Sequence, residues 1–130
     1  MRGHQDFSAV TERFFGEGWA VVGDAAVFVD PVFSSGVLLG LEAASGLAEA
    51  LLGRTSLEAW QASVLRASKA FETVALSFYD RSFLTVLFSS EHQPTIRAEI
   101  VALLAGDVWE HPAPARIAAR LGDLAARIAR

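Results

Sequence analysis

A glycine and an aspartate follow a short apolar run near the start of the chain. The run covers residues 19–22, lies between Gly18 and Gly23, and is followed directly by Asp24. A carboxylate at the end of a buried strand, beside a glycine that lets the backbone pass close to a ligand, is placed to accept hydrogen bonds from sugar hydroxyls. Asp and Gly are also common turn residues, so the dipeptide taken alone favours a simple turn.

A second candidate site consists of Ser34, Ser35 and Gly36. The apolar residues that follow are spaced one to four apart and predict a helix that begins near Ser35. These residues are Val37, Leu38, Leu41, Ala44, Ala48 and Leu51. The first N–H groups of a helix have no intrahelical partner and its dipole is positive there, so a small-residue entry leaves an anion site. The alternative is that Ser34 or Ser35 caps the helix.

Two strands and this helix must position the two sites. Residues 19–22 predict a strand buried on both faces, preceded by a turn at residues 16–18 and by a strand that ends at Phe15. Asp30-Pro31 ends the extended segment, because proline disfavours helix in the residue before it. Gly53 is typical of the position just after a helix and predicts where the helix ends.

The remainder of the chain predicts further helices. Thr55 and Glu58 have the spacing of a capping box. The long helix after them carries one apolar stripe, made of Trp60, Val64, Ala67, Phe71, Val74, Phe78 and Tyr79. Aromatic residues at this spacing, with Phe83 and Phe88 beyond them, are typical of a core rather than a substrate-binding box. A shorter helix begins at Pro94 and ends at Gly106.

A last helix is predicted from the spacing of Ile117, Leu121, Leu124 and Ile128, and its arginines lie largely off this apolar stripe. A solvated face with cations near the helix C-terminus is the ordinary interpretation. The alternative is a docking patch for an acidic carrier protein. The arginines concerned are Arg116, Arg120, Arg127 and Arg130.

Composition excludes several classes of function. The 130 residues fit one domain, and 52% hydrophobic residues supply a core. A formal net charge of −4 without a basic stripe argues against nucleic acid as a partner. The absence of cysteine excludes a disulfide framework and a thiol nucleophile, and fits the cytoplasm. No apolar run is long enough for a membrane span, and the N-terminus does not resemble a signal peptide.

The pattern Gly-Asp-Ala-Ala, then Asp-Pro, then Ser-Ser-Gly, covers residues 23–36. It closely resembles the second FAD-binding motif of flavin-dependent halogenases and of their relatives among the group A flavin monooxygenases and geranylgeranyl reductases. Weaker similarity extends upstream through residues 6–8 and downstream through residues 71–80. The resemblance implies a mostly α fold with a short β-hairpin or strand pair at the N-terminus, as the C-terminal fragment of an α/β FAD-binding fold. Residues 1–53 would belong to the FAD-binding domain and residues 54–130 to a helical C-terminal region.

The resemblance also implies roles for individual residues. Asp24 would hydrogen-bond the ribityl or ribose region of FAD, and residues 31–37 would pass over the isoalloxazine. The backbone N–H groups of Ser35 and Gly36 match the family's chloride site, in agreement with the anion site inferred from the helix start. The residues expected to contact the cofactor are Gly23, Asp24, Pro31, Ser34, Ser35, Gly36 and Val37.

Two departures from the family pattern bear on the substrate and on catalysis. Tryptophan halogenases carry a glutamate where this chain has Phe33, so the chain looks more like enzymes that act on phenols or on carrier-bound pyrrolyl groups. The family's catalytic lysine is expected in an N-terminal region that has no counterpart here. Lys69 lies in a helix beyond the flavin motif and does not match it, so no catalytic residue is assigned. His92 lacks metal-ligand spacing, and no metal site is expected.

The predicted function is that of the C-terminal FAD- and halide-binding segment of a flavin-dependent halogenase-like oxidoreductase. It would use FAD as FADH2 together with chloride, with a flavin reductase as the source of FADH2. The segment is expected to be inactive alone, because it has no Gly-x-Gly-x-x-Gly for the other half of the FAD site. The alternatives are a segment of a flavin monooxygenase or geranylgeranyl-reductase-like enzyme, and a free-standing helical interaction module.

Overall fold

The computed structural model describes residues 8–79, 84, 88, 98, 101–107 and 109. The chain divides into two compact units, Met1–Lys69 and Ala70–Arg130. Most of the described residues are helical, chiefly in two long helices, and short strands precede the first of them. The expected mostly α architecture with a strand pair near the N-terminus is confirmed, whereas the division at residues 53 and 54 stays a prediction.

Within residues 8–79, four short strands form two antiparallel pairs, one nested inside the other along the chain. The outer pair joins β1 (Ala9–Val10) to β4 (Val27–Phe28). Between them, β2 (Phe15–Gly16) and β3 (Trp19–Ala20) make a hairpin, in which Phe15 lies opposite Ala20. The hairpin therefore lies where the sequence predicts it.

The strand predicted at residues 19–22 is shorter and more exposed than expected. Only its first two residues pair in a ladder, and Trp19 keeps 49% of its surface exposed. The expectation of burial on both faces is wrong, because a two-stranded ribbon leaves its faces open unless other elements pack on them. Phe14, which directly precedes the hairpin, is buried instead.

Helix α1 (Gly36–Leu51) begins and ends where the sequence predicts. At its C-terminus, Gly53 adopts a φ of 74° and donates its N–H to the Ala50 carbonyl at 3.0 Å, while the Arg54 N–H reaches the Glu49 carbonyl at 3.0 Å. These two bonds form a Schellman motif, which needs a left-handed residue after the helix and so favours glycine.

The face that α1 buries differs from the face that its apolar spacing suggests. Leu39 and Ala43 are the buried residues of the helix, whereas Val37, Leu41 and Leu51 are 75%, 67% and 72% exposed. Both faces of α1 carry apolar side chains, so periodicity predicts the helix without selecting its buried side.

Helix α2 (Leu57–Phe78) is capped by Ser56, whose Oγ accepts the Ala59 N–H at 3.0 Å. The predicted capping box with Thr55 as the cap is therefore wrong by one residue. The apolar stripe is confirmed from Trp60 to Val74, but Phe78 is half-buried and Tyr79 is 66% exposed. The assignment of the aromatic residues to a core therefore holds for Phe71 and fails for Tyr79 and for Phe88, which is 77% exposed.

The core of the first unit forms around Trp60. Its ring meets that of Phe14 edge-on, with centroids 6.0 Å apart. Its indole N–H donates to the Ala43 carbonyl of α1 at 2.8 Å, and a Cβ added to Gly46 would lie 3.0 Å from its Cδ1. The absence of a side chain at Gly46 thus lets the indole lie against α1.

In the second unit, residues 101–104 are helical, Leu103 is buried, and the Gly106 N–H closes a turn on the Leu103 carbonyl at 3.0 Å. The predicted end of this helix near Gly106 is confirmed. The predictions for Phe83, His92, Pro94 and the arginine-bearing last helix lie outside the described residues. No helix within the described ranges has both the length and the apolar character that a bilayer crossing requires.

Candidate functional site

Asp24 lies in a 3-10 turn, Gly23–Ala25, rather than at the end of a buried strand. The turn begins with Gly23 at a φ of 59°, a backbone conformation that glycine adopts without strain. It closes through the Ala26 N–H, which donates to the Gly23 carbonyl at 2.9 Å. Asp24 itself is exposed, so its carboxylate is accessible to a ligand.

Thr11, which directly follows strand β1, holds this turn in place. The Thr11 N–H donates to the Ala26 carbonyl at 2.9 Å, and the Thr11 hydroxyl donates to the Ala25 carbonyl at 3.1 Å. The carbonyls at the end of the turn are thus occupied by protein donors. The Asp24 side chain lies on the side of the turn that faces α1.

Asp30 and Pro31 shape the approach to α1. Asp30 is buried, and its Oδ1 accepts the Val32 N–H at 3.0 Å, which caps the 3-10 turn Pro31–Phe33. Ser34 then takes a left-handed φ of 54° and donates its N–H to the Pro31 carbonyl at 2.8 Å. The chain therefore enters α1 through a tight turn, and Asp30 has a structural role that sequence reasoning had not assigned to it.

The N-terminus of α1 lacks a side-chain cap. Ser35 precedes the helix and is buried, but its hydroxyl makes no capping hydrogen bond. Its φ of −82° and ψ of −10° are helical, whereas a capping serine normally has an extended backbone that directs its oxygen at the following amides. Ser35 therefore does not cap α1. Its side-chain oxygen accepts no hydrogen bond from the N–H groups of the first helical turn.

The Asp24 turn and the start of α1 lie side by side. A Cβ added to Gly36 would lie 3.8 Å from Asp24 Oδ1. The structure therefore brings together the Asp24 carboxylate and the N-terminus of α1, which the sequence predicts as separate features. Gly36 has no side chain that could fill the space between the carboxylate and the helix end.

The other predicted site residues differ in exposure and in the element that carries them. Ser34 and Pro31 are exposed on the entry turn, and Val37 exposes 75% of its surface on the first turn of α1. Phe33 is half-buried and has no group that could accept a proton. Lys69 lies in α2, a different element from the Asp24 turn and the start of α1.

These groups fit the chemistry of a flavin and a small anion. An accessible carboxylate accepts hydrogen bonds from ribityl or ribose hydroxyls, and helix N–H groups together with the helix dipole favour negative charge. Gly40 is the residue that sequence reasoning missed, since a Cβ added to it would lie 3.6 Å from the Cα of Gly23, in contact with the Asp24 turn. The four-residue spacing from Gly36 was the signal that could have identified it.

Comparison with known proteins identifies the family. The chain is 31% identical over 112 residues to a 1H-pyrrole-2-carbonyl-[peptidyl-carrier protein] chlorinase of Pseudomonas fluorescens, covering 80% of this chain and 24% of that protein. It is 31% identical over 121 residues to a 1H-pyrrole-2-carbonyl-[peptidyl-carrier protein] brominase of Pseudoalteromonas luteoviolacea, covering 82% and 29%. It is 34% identical over 90 residues to the flavin-dependent halogenase armH4 of Armillaria mellea, covering 67% and 16%.

No family model and no solved structure matches the chain. The chain spans about a quarter of the length of its bacterial relatives, 24% of one and 29% of the other, and a smaller share, 16%, of the fungal one. Since relatives from bacteria and from a fungus cover most of this sequence, the chain belongs to the flavin-dependent halogenase family.

Proposed function

We propose that this chain is the FAD- and halide-binding segment of a flavin-dependent halogenase. The observation that carries the proposal is the position of the Asp24 carboxylate beside the uncapped N-terminus of α1. Asp24 accepts hydrogen bonds from flavin hydroxyls, and the segment from Pro31 to Val37 lies against the ring system. Gly23 and Ser34 set the backbone of the two turns that approach the cofactor.

The halide is assigned to the backbone N–H groups of Ser35 and Gly36. An anion gains about 0.3–1 kcal/mol from an exposed helix N-terminus, and more where water is excluded. Asp24 would repel it by about 1 kcal/mol at 4 Å in water-like surroundings. Because these two terms are similar in size, the proposal assigns the Asp24 carboxylate to flavin hydroxyls, which donate hydrogen bonds to it, while the amides hold the anion. The reduced flavin, FADH2, supplies the oxidation chemistry with dioxygen, and chloride is the substrate that becomes electrophilic.

The acceptor substrate is proposed to be a phenol or a carrier-bound pyrrole rather than free tryptophan. Two relatives are named for a pyrrole-carbonyl group on a peptidyl carrier protein, which supports the carrier-bound class. Phe33 supports the exclusion of free tryptophan, since it replaces the glutamate of that subclass with a side chain that cannot take up a proton. A flavin reductase supplies the FADH2, and the catalytic lysine lies outside this segment, so the segment alone does not halogenate.

The test combines two measurements on the purified chain. FAD titration is expected to show saturable binding that Asp24→Asn weakens about tenfold, the loss of a hydrogen bond to a charged acceptor. Glu42→Gln, which removes an exposed carboxylate from α1 with the same change in charge, is the matched control and leaves the affinity unchanged. A crystal soaked in sodium bromide is expected to show anomalous density against the Ser35 and Gly36 amides.

Separate outcomes contradict separate parts of the proposal. A folded chain without affinity for FAD, and without bromide at the helix N-terminus, contradicts the whole assignment and favours an interaction module. FAD binding without bromide at these amides favours a monooxygenase segment instead. Equal loss of FAD affinity in Asp24→Asn and Glu42→Gln removes Asp24 from the flavin site.

A further inference from the structure

Gly40 lies one helical turn after Gly36, on the same side of α1. A Cβ added to Gly40 would lie 3.6 Å from the Cα of Gly23, and a Cβ added to Gly23 would lie 4.0 Å from the Cα of Gly40. The backbone of the turn that carries Asp24 therefore rests directly on the backbone of α1. The contact joins two glycines that are 17 residues apart in sequence.

The two contacts along this face of α1 are linked by geometry. Gly40 touches the first residue of the Asp24 turn, and Gly36 faces the Asp24 carboxylate, whose Oδ1 would lie 3.8 Å from a Cβ added to Gly36. Since residues four apart lie one above the other on a helix, the turn contacts α1 at two levels. The position of its first residue against Gly40 thus determines how close Asp24 lies to the helix N-terminus.

Side-chain size at Gly40 sets a limit on this contact. A separation of 3.6 Å accommodates a methyl group at ordinary contact distance, whereas each further carbon extends about 1.5 Å from the last. Gly23 itself has a φ of 59°, which a residue with a side chain adopts only under strain, so the turn needs glycine on its own side of the contact. A side chain larger than alanine that extends from position 40 toward Gly23 therefore displaces the turn.

We infer that Gly40 is a positioning residue that sets the separation between the Asp24 carboxylate and the amides of Ser35 and Gly36. In a flavin-dependent halogenase this separation decides whether one FAD can meet Asp24 while a halide lies on the helix end. Gly40 would touch neither ligand and would act through the turn. The consequence for ligands rests on the proposed function, but the consequence for the turn does not.

The test is a size series at position 40 in the full 130-residue chain. Gly40→Ala is expected to retain the Overhauser contact between Hα protons of residues 23 and 40, and to raise the unfolding midpoint because alanine favours helix. Gly40→Val and Gly40→Leu are expected to lose that contact and to shift the Gly36 amide resonance, because they overpack a tight contact. They are also expected to weaken FAD binding about tenfold or more. Ser45→Leu places a larger side chain at an exposed position of α1 and is the matched control. It is expected to leave the Overhauser contact, the Gly36 resonance and FAD binding unchanged.

Failure of this inference is distinguishable from failure of the proposed function. If Gly40→Leu or Gly40→Val keeps the native Gly36 resonance and the native FAD affinity, Gly40 does not position the turn. If the unmodified chain does not bind FAD, the proposed function fails, and the Overhauser contact and the Gly36 resonance alone decide the positioning role. If Gly40→Leu does not fold, the smaller Gly40→Val decides, and native signals in that variant overturn the inference.

Discussion

At the scale of single residues, two serines in equivalent positions have opposite roles. Ser35 and Ser56 each directly precede a helix. The Ser56 hydroxyl accepts the Ala59 N–H at 3.0 Å, whereas the Ser35 hydroxyl makes no cap because its backbone is already helical. One helix therefore satisfies its first amides with its own side chain. The other helix has no capping bond from the serine that precedes it, at the point where Asp24 approaches.

Ser56→Ala is expected to lower the free energy of unfolding by about 1 kcal/mol, the usual loss for a capping serine. Ser35→Ala is expected to change it by less than about 0.5 kcal/mol, because no capping bond is lost. Urea unfolding followed by circular dichroism measures both. Ser35→Ala should also keep bromide binding, since the proposed ligand is its backbone N–H.

Thr55→Ala is the control for the position of the cap. A loss of about 1 kcal/mol in Thr55→Ala, with none in Ser56→Ala, would show that the capping box predicted from sequence forms in solution. It would contradict the Ser56 cap described here.

At the scale of elements, α1 shows how a helix can be predicted correctly and its buried face wrongly. The spacing of Val37, Leu41 and Leu51 predicts a helix, and α1 forms over that range. Those residues nevertheless face solvent, and Leu39 and Ala43 are buried. The buried side of α1 is the one that packs against Trp60, whose indole N–H donates to the Ala43 carbonyl.

Two leucines on α1 test this assignment with one type of substitution. Leu39, which is 5% exposed, is expected to lose about 2–4 kcal/mol of unfolding free energy on replacement by alanine. Leu41, which is 67% exposed, is expected to lose less than about 1 kcal/mol. Chemical denaturation compares them directly, and equal losses would mean that both faces of α1 are buried in solution.

At the scale of the whole molecule, Trp60 connects the elements of the first unit. Its ring contacts Phe14 ahead of the hairpin and lies 6.5 Å from the ring of Phe15, while its N–H bonds α1. A second link runs from the Phe14 N–H to Gln61 Oε1 at 3.3 Å. The hairpin region, α1 and α2 are thus joined through Trp60 and its neighbour Gln61.

Trp60→Phe is expected to cost about 1–2 kcal/mol, because it keeps the aromatic packing but loses the bond to the Ala43 carbonyl. Trp60→Ala is expected to cost about 3–5 kcal/mol. Trp19→Phe changes an exposed tryptophan and is the matched control, with an effect within about 0.5 kcal/mol. Unfolding midpoints measured by circular dichroism test the order, and a Trp60→Ala variant as stable as Trp19→Phe would contradict this core.

The sequence alone determined the family resemblance, the hairpin near Phe15, and the limits of α1 from Ser35 to Gly53. These features depend on neighbours in the chain, since a glycine, a proline or a repeat of apolar residues acts over a few positions. Local pattern also placed Asp24 and Ser35-Gly36 as separate candidates for hydrogen bonding and anion binding. The stripe of α2 was predictable for the same reason.

Only the tertiary structure decided which face of α1 is buried, that Trp19 is exposed, that Ser35 leaves its helix uncapped, and that Asp24 lies beside Gly36. The buried face and the position of Asp24 depend on contacts between residues far apart in sequence, such as Gly23 with Gly40 and Trp60 with Ala43, and the missing cap depends on the backbone conformation of Ser35. Periodicity specifies the type of an element, whereas burial and proximity depend on the surface that packs against it. The sequence therefore predicts which residues form the candidate site, but only the tertiary structure shows that they lie side by side.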